Sequence, residues 1–243
     1  MLTYLAAGAS DVGLKRANNE DAYLVRPEIG LLAVADGMGG AAAGEVASAI
    51  FVQTAGELFG PAAPASADGA YALVQEVFRL AHERMIAHVA EHPGHHGMGC
   101  TAELLVFSGD CYILGHVGDS RTYLLREGEL RQITKDHSLV QQQVDQGLIS
   151  AAEAKHHPMK NVVLRALGAD IELSLDLSRG RIFPGDLFLL CSDGLTDMLE
   201  DAAIREALAS RRSLADKVES LIEGAKSAGG RDNVTAVLCQ AGG

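Results

Sequence analysis

The stretch LLAVADGMGG, residues 31–40, is an apolar run that ends at Asp36 and continues into three glycines within four residues. Short apolar runs bounded by turn residues predict a strand that is buried in the core. The run therefore places one carboxylate at a buried strand end, beside glycines that let the backbone approach a ligand closely. An unpaired ion is costly in a medium of low dielectric constant, so Asp36 needs a partner or a bound cation.

The composition of the 243-residue chain narrows the classes of function. Hydrophobic residues make up 48% of it, and it contains no run of about 20 apolar residues that could span a bilayer. The net charge of −12 disfavours nucleic acid as a ligand, because the 20 Lys and Arg residues form no basic stripe. We expect no signal peptide, because no basic region precedes the first apolar patch. Four single cysteines favour reduced, buried thiols in a cytoplasmic protein: Cys100, Cys111, Cys191 and Cys239.

Helical periodicity and hairpin signals predict a layered fold. Residues 44–59 and 70–92 place apolar side chains at three- and four-residue steps, as amphipathic helices do. Two hairpins are predicted, with turns at 108–110 and 127–128. Strands joined by hairpins, together with paired long helices, favour an α+β architecture over an alternating parallel sheet, with helices covering both sheet faces.

The second half of the chain contains a segment unlike its surroundings. Residues 136–168 are polar, short-helical and interrupted by Pro158. We interpret them as a flap subdomain of a single domain that spans residues 1–243. The elements predicted after it are strands at 171–179 and 187–192, a helix at 213–229 and a last strand at 233–240.

Acidic residues recur where apolar segments begin or end. One Asp-Gly pair usually marks only a turn. Several such acids with few basic residues beside them require a shared cation, and oxygen-only ligands select Mg²⁺ or Mn²⁺ over zinc. Two such ions about 3.5 to 4 Å apart can activate a water molecule, which makes metal-assisted hydrolysis the leading chemistry. The acids in these positions are Glu20, Asp21, Asp36, Asp119, Asp193 and Asp232.

Five ordered motifs carry a family resemblance. RANNED (16–21), ADGMGG (35–40), GDSR (118–121), SDGL (192–195) and GGRDN (229–233) resemble the metal-dependent serine/threonine phosphatases of type 2C, the PPM family, in their compact bacterial form. The resemblance extends over nearly the whole chain. It implies a four-layer α-β-β-α sandwich, in which two antiparallel sheets are flanked by helix pairs.

The resemblance also implies ligands for two core Mn²⁺ or Mg²⁺ ions. Asp36 would bridge the two ions, and the carbonyl of Gly37 would bind one of them. Asp193 and Asp232 would bind the other ion. The acids that would act mostly through metal-bound waters are Glu20 and Asp21.

The implied reaction is hydrolysis of phosphoserine and phosphothreonine in proteins, by direct attack of a metal-bridged hydroxide on phosphorus. Asp119, with Asp193, would hold a weaker third ion. Arg16 would bind the substrate phosphate, because its planar donors suit two phosphate oxygens. A phosphorylated protein is the implied substrate, and a serine/threonine kinase and its targets are the implied partners.

The chain departs from the family at a proton donor. Many bacterial members have a histidine where this chain has Ala41, and eukaryotic members have one where it has Met38. The proton for the leaving group would then come from another source, such as a water on one of the metals. We expect this departure to slow hydrolysis of phosphoserine and phosphothreonine more than that of aryl phosphates.

The histidines of the chain invite other interpretations. His95, His96, His156 and His157 are predicted to lie in loops or the flap and to face solvent. His137 begins the flap in a triplet that the family often shares, and it gives positional support only.

Three alternatives stay open. Residues 37–42, GMGGAA, fit a weak dinucleotide-binding fingerprint. That interpretation would place Asp36 against a pyrophosphate, and the next 30 residues or so are helical where a βαβ unit needs a strand. A regulatory phosphopeptide-binding domain without turnover would be expected to lack a metal ligand, yet every expected acid is present. A phosphomonoesterase for small metabolites would use the same chemistry.

Overall fold

The computed structural model describes residues 3–39, 43–60, 64, 66–169 and 173–242. Its strands are β1 (Thr3–Asp11), β2 (Asp21–Arg26), β3 (Leu31–Met38), β4 (Gly99–Cys100), β5 (Ala102–Ser108), β6 (Cys111–Val117), β7 (Arg121–Arg126), β8 (Glu129–Gln132), β9 (Asp176–Arg181), β10 (Leu187–Cys191) and β11 (Val234–Gly242). Its α-helices are α1 (Gly44–Phe59), α2 (Ala67–Glu91), α3 (Leu139–Asp145), α4 (Ala151–Ala154), α5 (Asp193–Thr196), α6 (Asp201–Ala209) and α7 (Leu214–Ser227).

The strands form two antiparallel sheets. Within the described residues, one sheet has the order β1-β11-β10-β7-β8, and the other has the order β2-β3-β5-β6-β9 with β4 paired to β3. Every named strand pair is antiparallel. The prediction of an α+β fold rather than an alternating parallel sheet is therefore confirmed.

Strand β3 shows why the apolar run of the sequence is uninterrupted. Leu31, Ala33 and Ala35 pack on one face of the sheet into the core that holds α1 and α2. Leu32 and Val34 point the other way, into the core between the two sheets. A third core lies between the other sheet and helices α6 and α7. Strands buried on both faces lose the alternation of polar and apolar residues, and the predicted four-layer sandwich is confirmed.

The predicted helices and hairpins agree with the structure at most boundaries. Helix α2 begins three residues before the predicted 70, because the Ser66 hydroxyl accepts a hydrogen bond from the Gly69 backbone N–H at 3.1 Å. Both hairpin turns lie where the sequence predicts them, between β5 and β6 and between β7 and β8.

The strand predicted at 171–179 is wrong in its start. Residues 170–172 lie outside the described part of the chain, and β9 begins at Asp176. Leu173 and Leu175 are partly buried against the α1 and α2 core without pairing to a strand. Leu173 and Leu175 alternate with polar residues because they pack against this core. The alternation resembles that of a strand although no strand forms there.

The 136–168 segment follows β8, at the edge of the β1-β11-β10-β7-β8 sheet, and carries α3 and α4. Its ends are held together, because the Leu164 backbone N–H donates to the His137 carbonyl at 2.7 Å. The His137 N–H in turn donates to the Gly118 carbonyl at 2.7 Å, which fixes the segment beside the β6–β7 turn. None of the described helices is both long and apolar enough to cross a membrane.

Candidate active site

The first two acids of the site face each other across a strand pair. Asp21 opens β2 and lies opposite Asp36 in the register of β2 and β3. Asp36 continues the face of β3 that carries Leu32 and Val34, so both carboxylates lie at one end of the layer between the sheets. Thr101 fixes this strand end, since its hydroxyl accepts from the Asp36 N–H at 3.1 Å and its own N–H donates to the Asp36 carbonyl at 2.9 Å.

Asp119 lies in the tight connection between β6 and β7. The hydroxyl of the neighbouring Ser120 shares a 2.7 Å hydrogen bond with the Thr101 hydroxyl. Thr101 therefore joins the end of β3 to the turn that carries Asp119. Sequence reasoning missed both hydroxyl residues, because a lone threonine and serine carry no signal that separates them from other strand-end residues.

The other sheet delivers Asp193 and Asp232. Asp193 is the first residue of α5, directly after β10. At Gly194 a Cβ atom would lie 1.9 Å from the Asn233 carbonyl oxygen, so only glycine lets α5 pack this closely on the loop before β11. This contact holds Asp193 near Asp232, whose Oδ1 accepts from the Asn233 N–H at 2.8 Å.

Asn233 ties three segments of the site together, and sequence reasoning missed its role. Its side-chain amide donates to the carbonyls of Val12 at 3.0 Å and Asn18 at 2.9 Å. Its side-chain oxygen accepts from the Glu20 N–H at 2.8 Å. The signal available in the sequence was its place in the GGRDN motif, next to a predicted ligand.

We call five aspartates the acid cluster: Asp21, Asp36, Asp119, Asp193 and Asp232. Burial and the charges of neighbouring acids raise the pKa of the first four. Desolvation raises the pKa of Asp36 well above its ordinary value, and the charges of Asp21 and Asp193 raise it further. Desolvation also raises the pKa of Asp21 to about 7 and that of Asp193 to about 6. The pKa of Asp119 rises well above its ordinary value through desolvation and the charge of Asp193. Each of these four carboxylates therefore binds a proton more tightly than an isolated carboxylate does, and neighbouring cations would reverse that effect.

Several observations fit hard metal ions in the acid cluster. Oδ1 of Asp21 is buried and has no hydrogen-bond partner in the part of the chain that the structure describes, whereas Oδ2 accepts from Ser192 at 2.8 Å and Thr235 at 2.6 Å. A Cβ atom on Gly37 would lie 2.2 Å from the Gly44 carbonyl oxygen, so backbone oxygens crowd this rim. The donors are all oxygen atoms, which suits Mg²⁺ or Mn²⁺.

The acids lie near one another without converging on a single point. No three His, Cys, Asp or Glu side chains among residues 3–39, 43–60, 64, 66–169 and 173–242 form a ready group of metal ligands. An ion would therefore have to pull the carboxylates together. Glu20 stands beside the cluster at the start of α1, where a Cβ atom on Gly44 would lie 2.5 Å from Glu20 Oε2.

Arg16 lies at the exposed rim of the site. Its guanidinium donates to Asp232 Oδ2 at 2.7 Å, and about half of its side chain is exposed. The predicted phosphate-binding residue thus contacts a predicted metal ligand in this structure. This contact keeps a positive charge next to the acid cluster and within reach of a ligand from solvent.

A cleft of about 530 Å³ leads to the cluster. The acids at its base are Asp119 and Asp193, and its far wall is the 136–168 segment. Lys155 and Lys160 line that wall, and Lys160 pairs with Asp197 of the opposite wall. Sequence reasoning missed these bases, because single lysines in a polar segment look like ordinary solvated charges.

Met38 and Ala41 are the two positions at which members of the family are expected to have a histidine as proton donor. Ala41 lies outside the described residues, which omit 40–42. Met38 closes β3 and pairs with Gly99 of β4.

Comparison with known proteins decides the family. The profile of protein phosphatase 2C matches residues 14–239. The chain belongs to the protein phosphatase 2C family. The serine/threonine protein phosphatase PstP of Mycobacterium tuberculosis is 44% identical over 233 residues, which cover 96% of this chain but 44% of that relative. The chain thus spans less than half the length of this phosphatase 2C relative.

One further relative and one solved structure match over almost their full lengths. Protein phosphatase PhpP of Streptococcus pneumoniae is 37% identical over 238 residues, covering 94% of each chain. The crystal structure of the PstP catalytic domain in complex with two manganese ions is 40% identical. It superposes with a TM-score of 0.90 and covers 100% of both chains. The predicted resemblance to phosphatases of type 2C is confirmed.

Proposed function

We propose that the chain is a metal-dependent phosphatase that hydrolyses phosphoserine and phosphothreonine in proteins. The observation that carries the proposal is the acid cluster, whose five aspartates come from both sheets and two of which, Asp119 and Asp193, line an open cleft. The relatives named above are serine/threonine phosphatases, which supports the same activity. In this proposal residues 1–243 form a single catalytic domain and residues 136–168 form its flap.

The proposed ligands of two core Mn²⁺ or Mg²⁺ ions are the predicted ones. Asp36 would bridge the ions, with the Gly37 carbonyl on one of them and Asp193 and Asp232 on the other. When bound, such ions supply an activated water molecule and neutralise negative charge on the phosphoryl group. The remaining proposed metal-site residues are Glu20 and Asp21, which act through water, and Asp119, which would share a weaker third ion with Asp193.

The chain itself would bind and orient the substrate. Arg16 donates to Asp232 in this structure, and a substrate phosphate would replace that carboxylate as its acceptor. Thr101 would hold Asp36 and the Asp119 turn in one arrangement through its hydrogen bonds. Lys155 and Lys160 would give the cleft a positively charged wall for a phosphorylated segment.

The leaving-group oxygen needs a proton, and we propose that a water molecule donates it. Met38 and Ala41 stand where members of the family have histidine. An Ala41→His variant should raise the rate on a phosphothreonine peptide more than the rate on an aryl phosphate, because an aryl leaving group departs without help from an acid. An unchanged rate on the peptide would show that the missing acid was never limiting.

The proposed activity is tested by phosphate release from a phosphothreonine peptide. The assay is run with Mn²⁺, with Mg²⁺ and with a chelator, and on an Asp193→Asn variant. We expect turnover only with metal and a loss of about 10³-fold in the variant, since a metal ion contributes several kcal/mol to such reactions. Asp68→Asn is the matched control, because this exposed aspartate on α2 is not among the residues that line the cleft.

The outcomes separate the alternatives. Turnover without metal, or full activity of Asp193→Asn, would contradict the proposal. Phosphopeptide binding without turnover under any metal would support a regulatory domain. Faster turnover of small phosphorylated metabolites than of phosphopeptides would support a phosphomonoesterase.

We further propose that the substrates are proteins phosphorylated by a serine/threonine kinase, within a signalling pair of kinase and phosphatase. A cytoplasmic location fits the four free cysteines, three of which are buried. Deleting the gene and comparing phosphothreonine proteomes would test the proposed substrates, and fractionation of the cell would test the proposed location. Unchanged phosphorylation of every kinase substrate would count against the proposed substrates.

A further inference from the structure

Three histidines outside the acid cluster meet at the end of α2. His88 and His92 are one helical turn apart, and the chain reverses at Pro93 to bring back His95. Their ring centroids are 4.3 Å apart for His88 and His92, 5.1 Å for His88 and His95, and 5.7 Å for His92 and His95. We call these three residues the histidine cluster.

The hydrogen bonds of His92 leave one ring nitrogen ready for a ligand. Its Nδ1 is 3.2 Å from the His88 carbonyl oxygen, which only an N–H can satisfy. The proton therefore sits on Nδ1, and Nε2 keeps a free lone pair. Metal-binding histidines commonly donate their second nitrogen to a backbone carbonyl in this way, which fixes the ring and its tautomer.

The other two rings share one hydrogen. His88 Nε2 and His95 Nδ1 are 3.0 Å apart, so one nitrogen donates and the other accepts. Two nitrogens bound to the same tetrahedral zinc ion lie about 3.3 Å apart, given Zn–N bonds of about 2.0 to 2.1 Å. If a metal ion replaced the shared hydrogen, the distance between these two nitrogens would change by only a few tenths of an ångström.

The electrostatic environment of His88 favours its neutral ring, which is the form that binds metal. Desolvation lowers the pKa of His88, and the neighbouring rings of His92 and His95 lower it further. The nearby Glu91 carboxylate acts in the opposite direction. A divalent cation would compete with protons for the ring nitrogens, because only a deprotonated nitrogen binds metal.

We propose that the histidine cluster is a binding site for a zinc-class transition-metal ion, with His88, His92 and His95 as its protein ligands. Nitrogen donors select Zn²⁺, Co²⁺ or Ni²⁺ over Mg²⁺ and Mn²⁺, whereas the acid cluster has the opposite preference. As with the acid cluster, no three described side chains form a ready group of ligands, so the rings must turn on binding. A water molecule would complete a tetrahedral site.

The position of the histidine cluster connects a bound ion to the catalytic rim through the backbone. The Met98 backbone N–H donates to the His95 carbonyl at 3.0 Å, and β4 follows directly. β4 pairs with Gly37 and Met38 at the end of β3. An ion on the histidine cluster would therefore fix the connection that leads into the strand beside Asp36.

The test is a titration of the full chain with Zn²⁺ and with Co²⁺ in the presence of excess Mg²⁺, which occupies oxygen-donor sites. The wild-type chain should bind one equivalent more than the His88→Gln/His92→Gln/His95→Gln variant, and Co²⁺ should give the visible absorption of a tetrahedral site. Each single substitution should weaken this equivalent at least about tenfold, because one of three protein ligands is lost.

His96→Gln is the matched control, since the adjacent His96 takes part in none of the three ring contacts. It should bind as the wild type does. Unchanged circular dichroism and an unchanged rate with Mn²⁺ would show that the triple variant is folded. Equal stoichiometry and affinity in the wild type and a folded triple variant would overturn the proposal, as would an equal loss of binding in His96→Gln.

Discussion

Glu103 and Asp36 are acids on neighbouring strands of one sheet, and the protein satisfies them in opposite ways. Glu103 lies opposite Val34 in the strand register, two residues before Asp36. It is fully buried, whereas Asp36 is half-buried at the end of the same layer. Thr122 of the other sheet donates to Glu103 at 2.5 Å, and His116 contacts its second oxygen. The neighbours that face Asp36 are mainly other carboxylates.

The pair of Glu103 and His116 is complete within the chain. His116 donates through Nε2 to the Lys135 carbonyl at 2.9 Å, so both of its nitrogens are used. Burial lowers the pKa of His116, but the Glu103 carboxylate outweighs this effect and brings the pKa to about 8. Burial raises the pKa of Glu103, while His116 and Thr122 lower it. Because two donors reach the carboxylate, we assign the pair as imidazolium and carboxylate.

The difference between the partners of Glu103 and those of Asp36 distinguishes a structural acid from a functional one. A buried acid that already has a cation and a hydroxyl donor contributes to the packing of the two sheets. Acids that face one another destabilise the fold until cations arrive from outside, which is a property of binding sites. The acid cluster and Glu103 therefore make opposite predictions for the loss of a charge.

The largest expected effect is on catalysis, in Asp36→Asn. Loss of the proposed bridging ligand should lower phosphate release by about 10³-fold or more, because metal ions contribute several kcal/mol to transition-state stabilisation. The same variant should melt at a higher temperature than the wild type in chelator, since one of the repelling carboxylates is gone. A lower melting temperature in chelator would show that Asp36 has a structural role as Glu103 does.

The largest expected effect on stability is in Glu103→Ala. The substitution leaves a charged or unpaired His116 in the core between the sheets, and breaking a buried pair in this way costs about 3 to 5 kcal/mol. Urea unfolding in chelator measures the free energy of unfolding, with Asp68→Asn as the surface control. A loss below about 1 kcal/mol, the value of an exposed pair, would remove the contrast between the two regions.

The free energy of unfolding should depend on pH in two adjoining windows, one from the acid cluster and one from His116. In the folded, metal-free protein the pKa values of Asp21 and Asp193 are about 7 and about 6, above the ordinary value of about 3.9 in the unfolded chain. The folded state then binds more protons, so the free energy of unfolding should fall as pH rises from about 4 to about 7. Saturating Mn²⁺ should remove this decline, because the ions take the place of the protons.

His116 accounts for the second window. Its folded pKa of about 8 exceeds the unfolded value of about 6.5, so its contribution is complete below about 6.5 and is lost as pH rises through about 8. Urea unfolding across the pH range, with chelator and with Mn²⁺, measures both windows. Glu103→Gln should abolish only the upper one, and a variant that abolished the lower one instead would reverse our assignment.

The sequence predicts the acid cluster better than it predicts Glu103. Asp36, Asp119 and Asp193 each end an apolar run, so the pattern alone marks them. Glu103 lies inside a strand, and its partner Thr122 belongs to a strand of the other sheet, which no local pattern reveals. Contacts between sheets depend on how the layers stack, and that information is spread over the whole chain.

The histidine cluster lies between these two cases. The four-residue spacing of His88 and His92 is visible in the sequence, as two ligands on one helical face would be. The approach of His95 depends on the chain reversal at Pro93, and the sequence interpretation placed it in solvent. The same limit explains the early start predicted for β9, where Leu173 and Leu175 pack without a strand partner.

The smallest expected effect concerns an acid that is paired across the cleft. Lys160 pairs with Asp197, and both side chains are about one-third exposed. The charge of Asp197 raises the pKa of Asp193, while Lys160 lowers it. Lys160→Ala leaves Asp197 uncompensated at the mouth of the acid cluster, where it repels the phosphate of a substrate. We expect KM for a phosphothreonine peptide to rise about two- to fivefold, which corresponds to about 0.4 to 1 kcal/mol.

Lys155→Ala is the matched control for this prediction. Lys155 lines the same wall and pairs with the more exposed Glu200, which is not among the charges that shift the pKa of Asp193. Loss of Lys155 should leave the affinity for Mn²⁺ unchanged. Lys160→Ala should raise that affinity, because one positive charge fewer faces the ions and Asp197 is left without its partner. Equal effects of the two substitutions on KM and on Mn²⁺ affinity would mean that the wall acts only through its total charge. An effect specific to Lys160 would show a third case at the surface. There Asp197 has only a partly exposed lysine as its partner, and that lysine sets how strongly Asp197 acts on Asp193.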